Sequence, residues 1–272
     1  MWRQLKDFVR AKKNSCDVWV VWNWKHFEKV DCLGCETWTS PTPPTPTFTW
    51  LCFTAEQDNS TVQLKKVRNP TVVNLEISVN LGRWTDYTIW DIITLASIWD
   101  KVYMRNKSET DTMFSTDQNN LYQFSMTWRI WASGDITSLL NKNWTDKLSA
   151  YCFYRLFQNC TSLTTSPELS ATTLAIVCYW QMFYWCSNLM TLPKLPATTL
   201  LYACYWQMFR NCKKIQLSTR KGWSHQIEYR IPIEWVWSVV DYSLNDMFLN
   251  TWWAFRGTPI INKTYYTSNQ VI

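Results

Sequence analysis

One period governs the second half of this chain. Cys152, Cys178 and Cys204 lie 26 residues apart, as do Cys160, Cys186 and Cys212. Phe157, Phe183 and Phe209 keep the same step, and so do Leu163, Leu189 and Ile215. Leu148, Leu174 and Leu200 follow it too, and Cys-Tyr-Trp-Gln-Met-Phe recurs at 178–183 and 204–209. A unit this short cannot bury an apolar face by itself, so successive units must stack and share one core. The first twelve of these residues are the predicted repeat core.

Within one unit, Leu174, Cys178, Met182, Phe183 and Cys186 are spaced by four, four, one and three. That spacing predicts one face of an α-helix. Leu189, Leu192 and Leu195, with prolines at 193 and 196, predict a short extended segment and a turn after it. The expected fold is an α/β repeat solenoid of the leucine-rich type, each unit a helix followed by a strand.

The pattern Leu-x-x-x-Cys-Tyr-x-x-Met-Phe-x-x-Cys-x-x-Leu, followed by Leu-Pro-Ala-Thr-Thr-Leu, resembles the BspA-like leucine-rich-repeat surface proteins of gut bacteria and their phages. It is strong over residues 145–220, and Leu244-Asn-Asp-Met-Phe248 reads as a degenerate final unit. The resemblance extends upstream, from Phe53 to Leu140, to the β-rich module that often precedes such repeats. It implies a surface protein of a cell or a virion that binds a protein or glycan.

The chain departs from that pattern in one way. It has 20 Trp and only 5 Gly, and Trp90, Trp99, Trp128, Trp144 and Trp185 stand where the resemblance implies glycine. An L-residue held at positive φ costs about 1–2 kcal/mol where glycine is free. We expect several of these tryptophans to be single-base changes of glycine codons, in a genome that reads UGA as Trp.

Four segments follow from composition. Residues 1–39 form a basic N-terminal segment, whose first thirteen residues carry Arg3, Lys6, Arg10, Lys12 and Lys13 against Asp7. The Pro/Thr stretch 40–47 is a stiff linker. In 48–140, short β-branched runs at 61–64, 71–77, 87–89, 92–95, 101–104 and 122–126 predict a small all-β, sandwich-like module. Residues 141–272 hold the repeats. Of the chain's net charge of +6, the first thirteen residues carry 5 − 1 = +4 and the rest only +2, which argues against nucleic acid as a partner. No apolar run is long enough to span a membrane, and no secretory signal peptide is apparent.

Candidate sites are few. Cys32-Leu-Gly-Cys35, with Cys16 and His26 upstream, is a weak zinc candidate, because structural zinc needs four such groups around one point. The repeat cysteines read as small buried thiols; cross-rung bridges such as Cys160 to Cys186 are the alternative. Tyr179-Trp180 and Tyr205-Trp206 read as rung-to-rung packing, with a sugar- or protein-binding column as the alternative. Thr165, Thr191 and Leu217, with Glu168, Lys194 and Arg220, recur at the repeat spacing and form the expected ligand-binding face. His26 and His225 lie far apart, and no phosphate loop or nucleophile motif is present. The expectation is a protein that is not an enzyme and uses no cofactor, but recognises a host, matrix or glycan partner. The alternative is a structural phage virion or tail-associated component.

Overall fold

A computed structural model describes residues 8–13, 16–23, 26–29, 49–110, 114–236, 240–252 and 255–272. The chain divides into two compact units, 1–47 and 48–272. In the first, β1 (Phe8–Lys13), β2 (Cys16–Asn23) and β3 (His26–Lys29) make an antiparallel meander. The Pro/Thr linker lies outside the described residues.

The second unit begins with β4 (Leu51–Ala55), β5 (Ser60–Val67), β6 (Leu75–Val79), β7 (Thr85–Asp86), β8 (Ile92–Leu95), β9 (Lys101–Asn106), β10 (Leu121–Thr127) and β11 (Ile130–Ser133). Alternation makes these strands: Ser60, Val62 and Leu64 of β5, and Val102 and Met104 of β9, point inward from successive pleats. Every residue of β4 is buried, because β9 and β11 flank it in the sheet and both its faces are covered. The strands make a three-stranded sheet, β10-β5-β8, and a larger one that runs from β7 through β6, β9, β4 and β11. Phe53 of β4 meets Phe124 of β10 at 5.0 Å between ring centroids, joining the two sheets in one core.

The larger sheet does not stop at the module. Its sixth strand is β12 (Leu163–Thr165), from the first repeat, parallel to β11. The expected module is therefore not a closed-off sandwich. Between them, Asp135 bridges Trp50 on one side and Glu168 on the other, and its carboxylate accepts from the Thr137 amide and hydroxyl at 2.8 Å. Gly134 is required there: its φ is +70°, and a Cβ would stand 2.0 Å from the Trp50 carbonyl oxygen.

The repeats correct the sequence reading. Among the described residues there is no α-helix, only a 3-10 turn at Ile136–Leu139. An α/β solenoid is thus overturned: the protein is nearly all β, in several small separate sheets. Where helices were expected, each unit is a chain of linked turns. The amides of residues 153, 155, 157 and 159 donate outward to the carbonyls of 178, 180, 182 and 184 in the next unit. The amides between them, at 154, 156, 158 and 160, donate back three residues within their own unit. Units two and three repeat the scheme, as 179, 181, 183 and 185 bond to 204, 206, 208 and 210. Every fourth residue takes positive φ: 151, 155 and 159; 177, 181 and 185; 203, 207 and 211; 242, 246 and 250.

This geometry explains the spacing better than a helix does. Leu148, Cys152, Leu156 and Cys160 step by exact fours and are all buried. On an α-helix each step of four overshoots a turn by about 40°, so three steps would carry the last residue off the face. A four-residue turn repeat keeps them in line. All twelve predicted core residues (Cys152, Phe157, Cys160, Leu163, Cys178, Phe183, Cys186, Leu189, Cys204, Phe209, Cys212 and Ile215) are at most 3% exposed.

Aromatic rings record the stacking. Phe124, Phe157, Phe183, Phe209 and Phe248 follow one another at 5.1, 5.5, 5.5 and 5.4 Å, with planes within 12°. The module and the rungs therefore share one core. The last step joins residues 39 apart rather than 26, because 13 extra residues loop out before the fourth rung.

Candidate functional site

The expected ligand-binding face lies on the strand side of the rungs, where β12, β13 (Thr191–Leu192) and β14 (Leu217–Ser218) follow the turns. Glu168, Lys194 and Arg220 are exposed. The other three candidates are taken up by the fold. Thr165 donates its hydroxyl to the Ala132 carbonyl at 2.6 Å, Thr191 accepts from the Ser166 amide at 2.7 Å, and Leu217 is fully buried.

The charged column is also split. The chain's last strands, after β15 (Ile227–Arg230), are β16 (Thr264–Thr267) and β17 (Gln270–Val271). β17 pairs in parallel with β13, and β16 pairs with β14. Asn269 stitches the gap: its side-chain amide donates to the Met190 and Lys214 carbonyls and accepts from the Gln216 amide at 2.7 Å. In the rung before, Met190 donates directly to Thr164. Lys194 and Arg220 are thus separated by inserted chain, not by one rung step. The Lys194 amide itself donates to the Ile272 carbonyl at 2.7 Å.

The turn side carries two further columns. Tyr154, Trp180, Trp206 and Tyr242 stack at 5.0, 4.7 and 5.6 Å, and the two indoles are parallel within 3°. Each indole thereby covers the other's face, and a sugar ring needs a free face to stack on. Beside them runs a polar ladder absent from the sequence reading. Arg155 donates to Gln181 at 2.6 Å, Gln181 to Gln207 at 2.6 Å, and Gln207 to Asp246 at 3.4 Å. A donor-only group starts the row, two amides relay it and an acceptor-only group ends it. Its signal was legible as Arg155, Gln181 and Gln207 at the repeat spacing.

The repeat thiols are buried, and none of them forms a disulfide. Those of Cys160, Cys186 and Cys212 donate to the carbonyls of Phe124, Phe157 and Phe183 at 3.2, 3.0 and 3.0 Å. Cys178 and Cys204 reach the carbonyls of Cys204 and Ser243 at the longer distance of 4.0 Å. Burial pushes the Cys160 and Cys204 thiols up to about 12, and those of Cys178, Cys186 and Cys212 upward as well. A protonated, enclosed thiol is a poor nucleophile and a poor metal ligand. The two columns should respond differently to substitution. We expect Cys178→Ala to lose about 1–2 kcal/mol through a small cavity, and Cys178→Ser to lose more, since the Cys204 carbonyl that its hydroxyl would donate to stands 4.0 Å from the present sulfur. Cys186→Ser should lose less than Cys178→Ser, because the Phe157 carbonyl is already in place. Urea unfolding of the three variants checks this; equal losses for the two serine variants would contradict it.

Of the zinc candidates, Cys16 begins β2 and His26 begins β3, while Cys32 and Cys35 lie outside the described residues. Among the described residues, no three His, Cys, Asp or Glu side chains cluster as a metal site, and no helix is long and apolar enough to cross a membrane.

One open groove of about 430 Å³ lies where three turns meet, lined by Glu56, Gln57, Asp58, Ile98 and Trp128. The Asp58 carboxylate accepts from the Ile98 amide at 2.7 Å, which ties two of the turns together. Nothing in the sequence spacing marks this groove, because its lining comes from three separate connections. No family model, curated protein or solved structure matches the chain.

Proposed function

We propose that the protein works by recognition rather than catalysis, binding an anionic protein or glycan at a cell or virion surface. The observation that carries this reading is the setting of Glu168, Lys194 and Arg220. Each is exposed, and each stands on backbone already held by hydrogen bonds: Glu168 to Gly134 and Ile136, Lys194 to Ile272, Arg220 to the Ser218 hydroxyl. Charges presented from an ordered backbone lose less entropy on binding than charges on a loose loop. Lys194 and Arg220 flank the inserted C-terminal strands and present two positive side chains there.

The test is an array of acidic and neutral glycans and matrix proteins, probed with the full chain at two salt concentrations. Binding to acidic targets that weakens with salt is expected. The double variant Lys194→Glu, Arg220→Glu should lose at least about tenfold in affinity, a loss of about 1.4 kcal/mol. Its stability should stay within about 0.5 kcal/mol of the parent, as for most surface changes. Binding that survives the double variant would sink the assignment. The second reading, a structural virion component, is favoured by the basic segment belonging to its own compact unit, residues 1–47. An anionic particle surface would be its dock.

A further inference from the structure

Five tryptophans occupy backbone that suits glycine. Trp90, Trp99, Trp128, Trp144 and Trp185 have φ of +85°, +72°, +57°, +63° and +64°. Only a few per cent of non-glycine residues adopt positive φ, and for a bulky side chain it is an outlier. The conformation is imposed from both sides. Asp91 donates to the Thr88 carbonyl and Asp100 to the Ser97 carbonyl, which makes Trp90 and Trp99 the third residue of a four-residue turn. A positive φ at that position defines the type II turn, where glycine is the usual residue. The amides of Trp90 and Trp99 also donate across to Leu64 and Ala55, so neither turn can relax its geometry.

The repeats supply an internal control. Positions 159, 185, 211 and 250 are equivalent, with φ of +65°, +64°, +66° and +59°. They read Asn, Trp, Asn, Asn. Asparagine is the L-residue best suited to this region after glycine, and tryptophan breaks the column. Nor does burial compensate: Trp90, Trp99, Trp128 and Trp185 are all 45% exposed or more. By contrast, Trp84 packs edge-to-face against Trp50 and lies under the Arg105 guanidinium, at ordinary φ.

We infer that residues 90, 99, 128, 144 and 185 are glycine in the protein as its own cell makes it. A single reassigned codon accounts for all five: UGA, decoded as tryptophan to give this chain, is decoded as glycine there. The same cause narrows the inversion of 20 Trp to 5 Gly, since five reassignments leave 20 − 5 = 15 Trp and 5 + 5 = 10 Gly. One consequence is that the exposed indoles, including the Trp128 wall of the groove, are no binding surface. The inference stands apart from the proposed recognition edge, since Glu168, Lys194 and Arg220 are not among the five.

Two measurements test it. The first reads the five codons and sequences, by tandem mass spectrometry, the peptides of the protein recovered from its native cells. UGA codons with glycine in the peptides are expected; UGG codons, or tryptophan in the peptides, overturn the inference. The second compares the full chain as written with the variant carrying Trp90→Gly, Trp99→Gly, Trp128→Gly, Trp144→Gly and Trp185→Gly. The glycine form should unfold at a higher urea concentration with the same far-UV circular dichroism. An unchanged or lower midpoint overturns it from the structural side, whether or not native material can be sequenced.

Discussion

Raising the pH from 8 to 10 is expected to destabilise this protein by about 5 kcal/mol through its buried thiols alone. The cause is the row of buried thiols. Burial raises the folded-state values of Cys160, Cys178, Cys186, Cys204 and Cys212 from an ordinary value of 9.0. Above pH 9 the unfolded chain releases these protons while the folded chain keeps them, so the unfolded state gains. The thiol contribution is therefore fully present below about pH 9 and is lost as pH climbs toward the folded values near 12. One pH unit beyond the unfolded value is worth a little over 1 kcal/mol for each thiol, and five act together. That is a large share of the 5–15 kcal/mol that stabilises a typical domain. The buried hydroxyls of Tyr179, Tyr205 and Tyr229 shift the same way but begin one unit higher, extending the decline. Urea midpoints at pH 7, 8, 9 and 10, each with and without reductant, measure the effect. A flat profile from pH 8 to 10 would mean that the thiols meet solvent, and a strong reductant effect at pH 7 would mean that they are bridged.

The thiols illustrate what could be read in the sequence and what could not. A residue recurring at fixed spacing beside conserved-volume neighbours, such as Cys178 with Met182 and Phe183, belongs to the shared interior whatever the local backbone does, so its burial was legible. The backbone itself was not. Steps of four and three are common to an α-helix and to a four-residue turn repeat, and only the exact recurrence of Leu148, Cys152, Leu156 and Cys160 separates them. Residues 151, 155 and 159 (Tyr, Arg, Asn) gave no clear veto, since Arg is a good helix former and only Tyr and Asn are weaker ones. The candidate face suffered from a different blindness. Its column of Glu168, Lys194 and Arg220 follows from the period, but the strands that split it come from residues 264–272, which carry no repeat. Pairing between segments 79 residues apart, as between Thr191 and Gln270, leaves no local trace. The five strained tryptophans were singled out differently again: the resemblance implied glycine at those positions, and their positive φ is a local property of the turns they occupy.

The largest effect of a single substitution is expected at Phe183. Its ring is fully buried and lies between Phe157 and Phe209, at 5.5 Å from each and nearly parallel to both. Its backbone holds two rungs as well, since its amide donates to Met208 and its carbonyl accepts from both the Cys186 amide and the Cys212 thiol. Truncation to alanine leaves those backbone bonds intact and removes only the ring, so the loss isolates stacking and burial. Phe183→Ala should lose about 3–5 kcal/mol, in the upper part of that range because the neighbouring rungs are zipped by amide-to-carbonyl bonds and cannot collapse into the space. Phe183→Leu should lose roughly half as much, since it keeps most of the buried area and forfeits the paired ring contacts, worth about 0.5–1.5 kcal/mol each. Trp180→Ala makes the comparison: its indole is stacked at 4.7 Å on Trp206 but only half-buried, so it should lose distinctly less. Urea unfolding followed by far-UV circular dichroism reads all three. If Phe183→Ala cost no more than Trp180→Ala, the shared core running from Phe124 to Phe248 would not be what holds the rungs together, and the stability would have to reside in the backbone ladder alone.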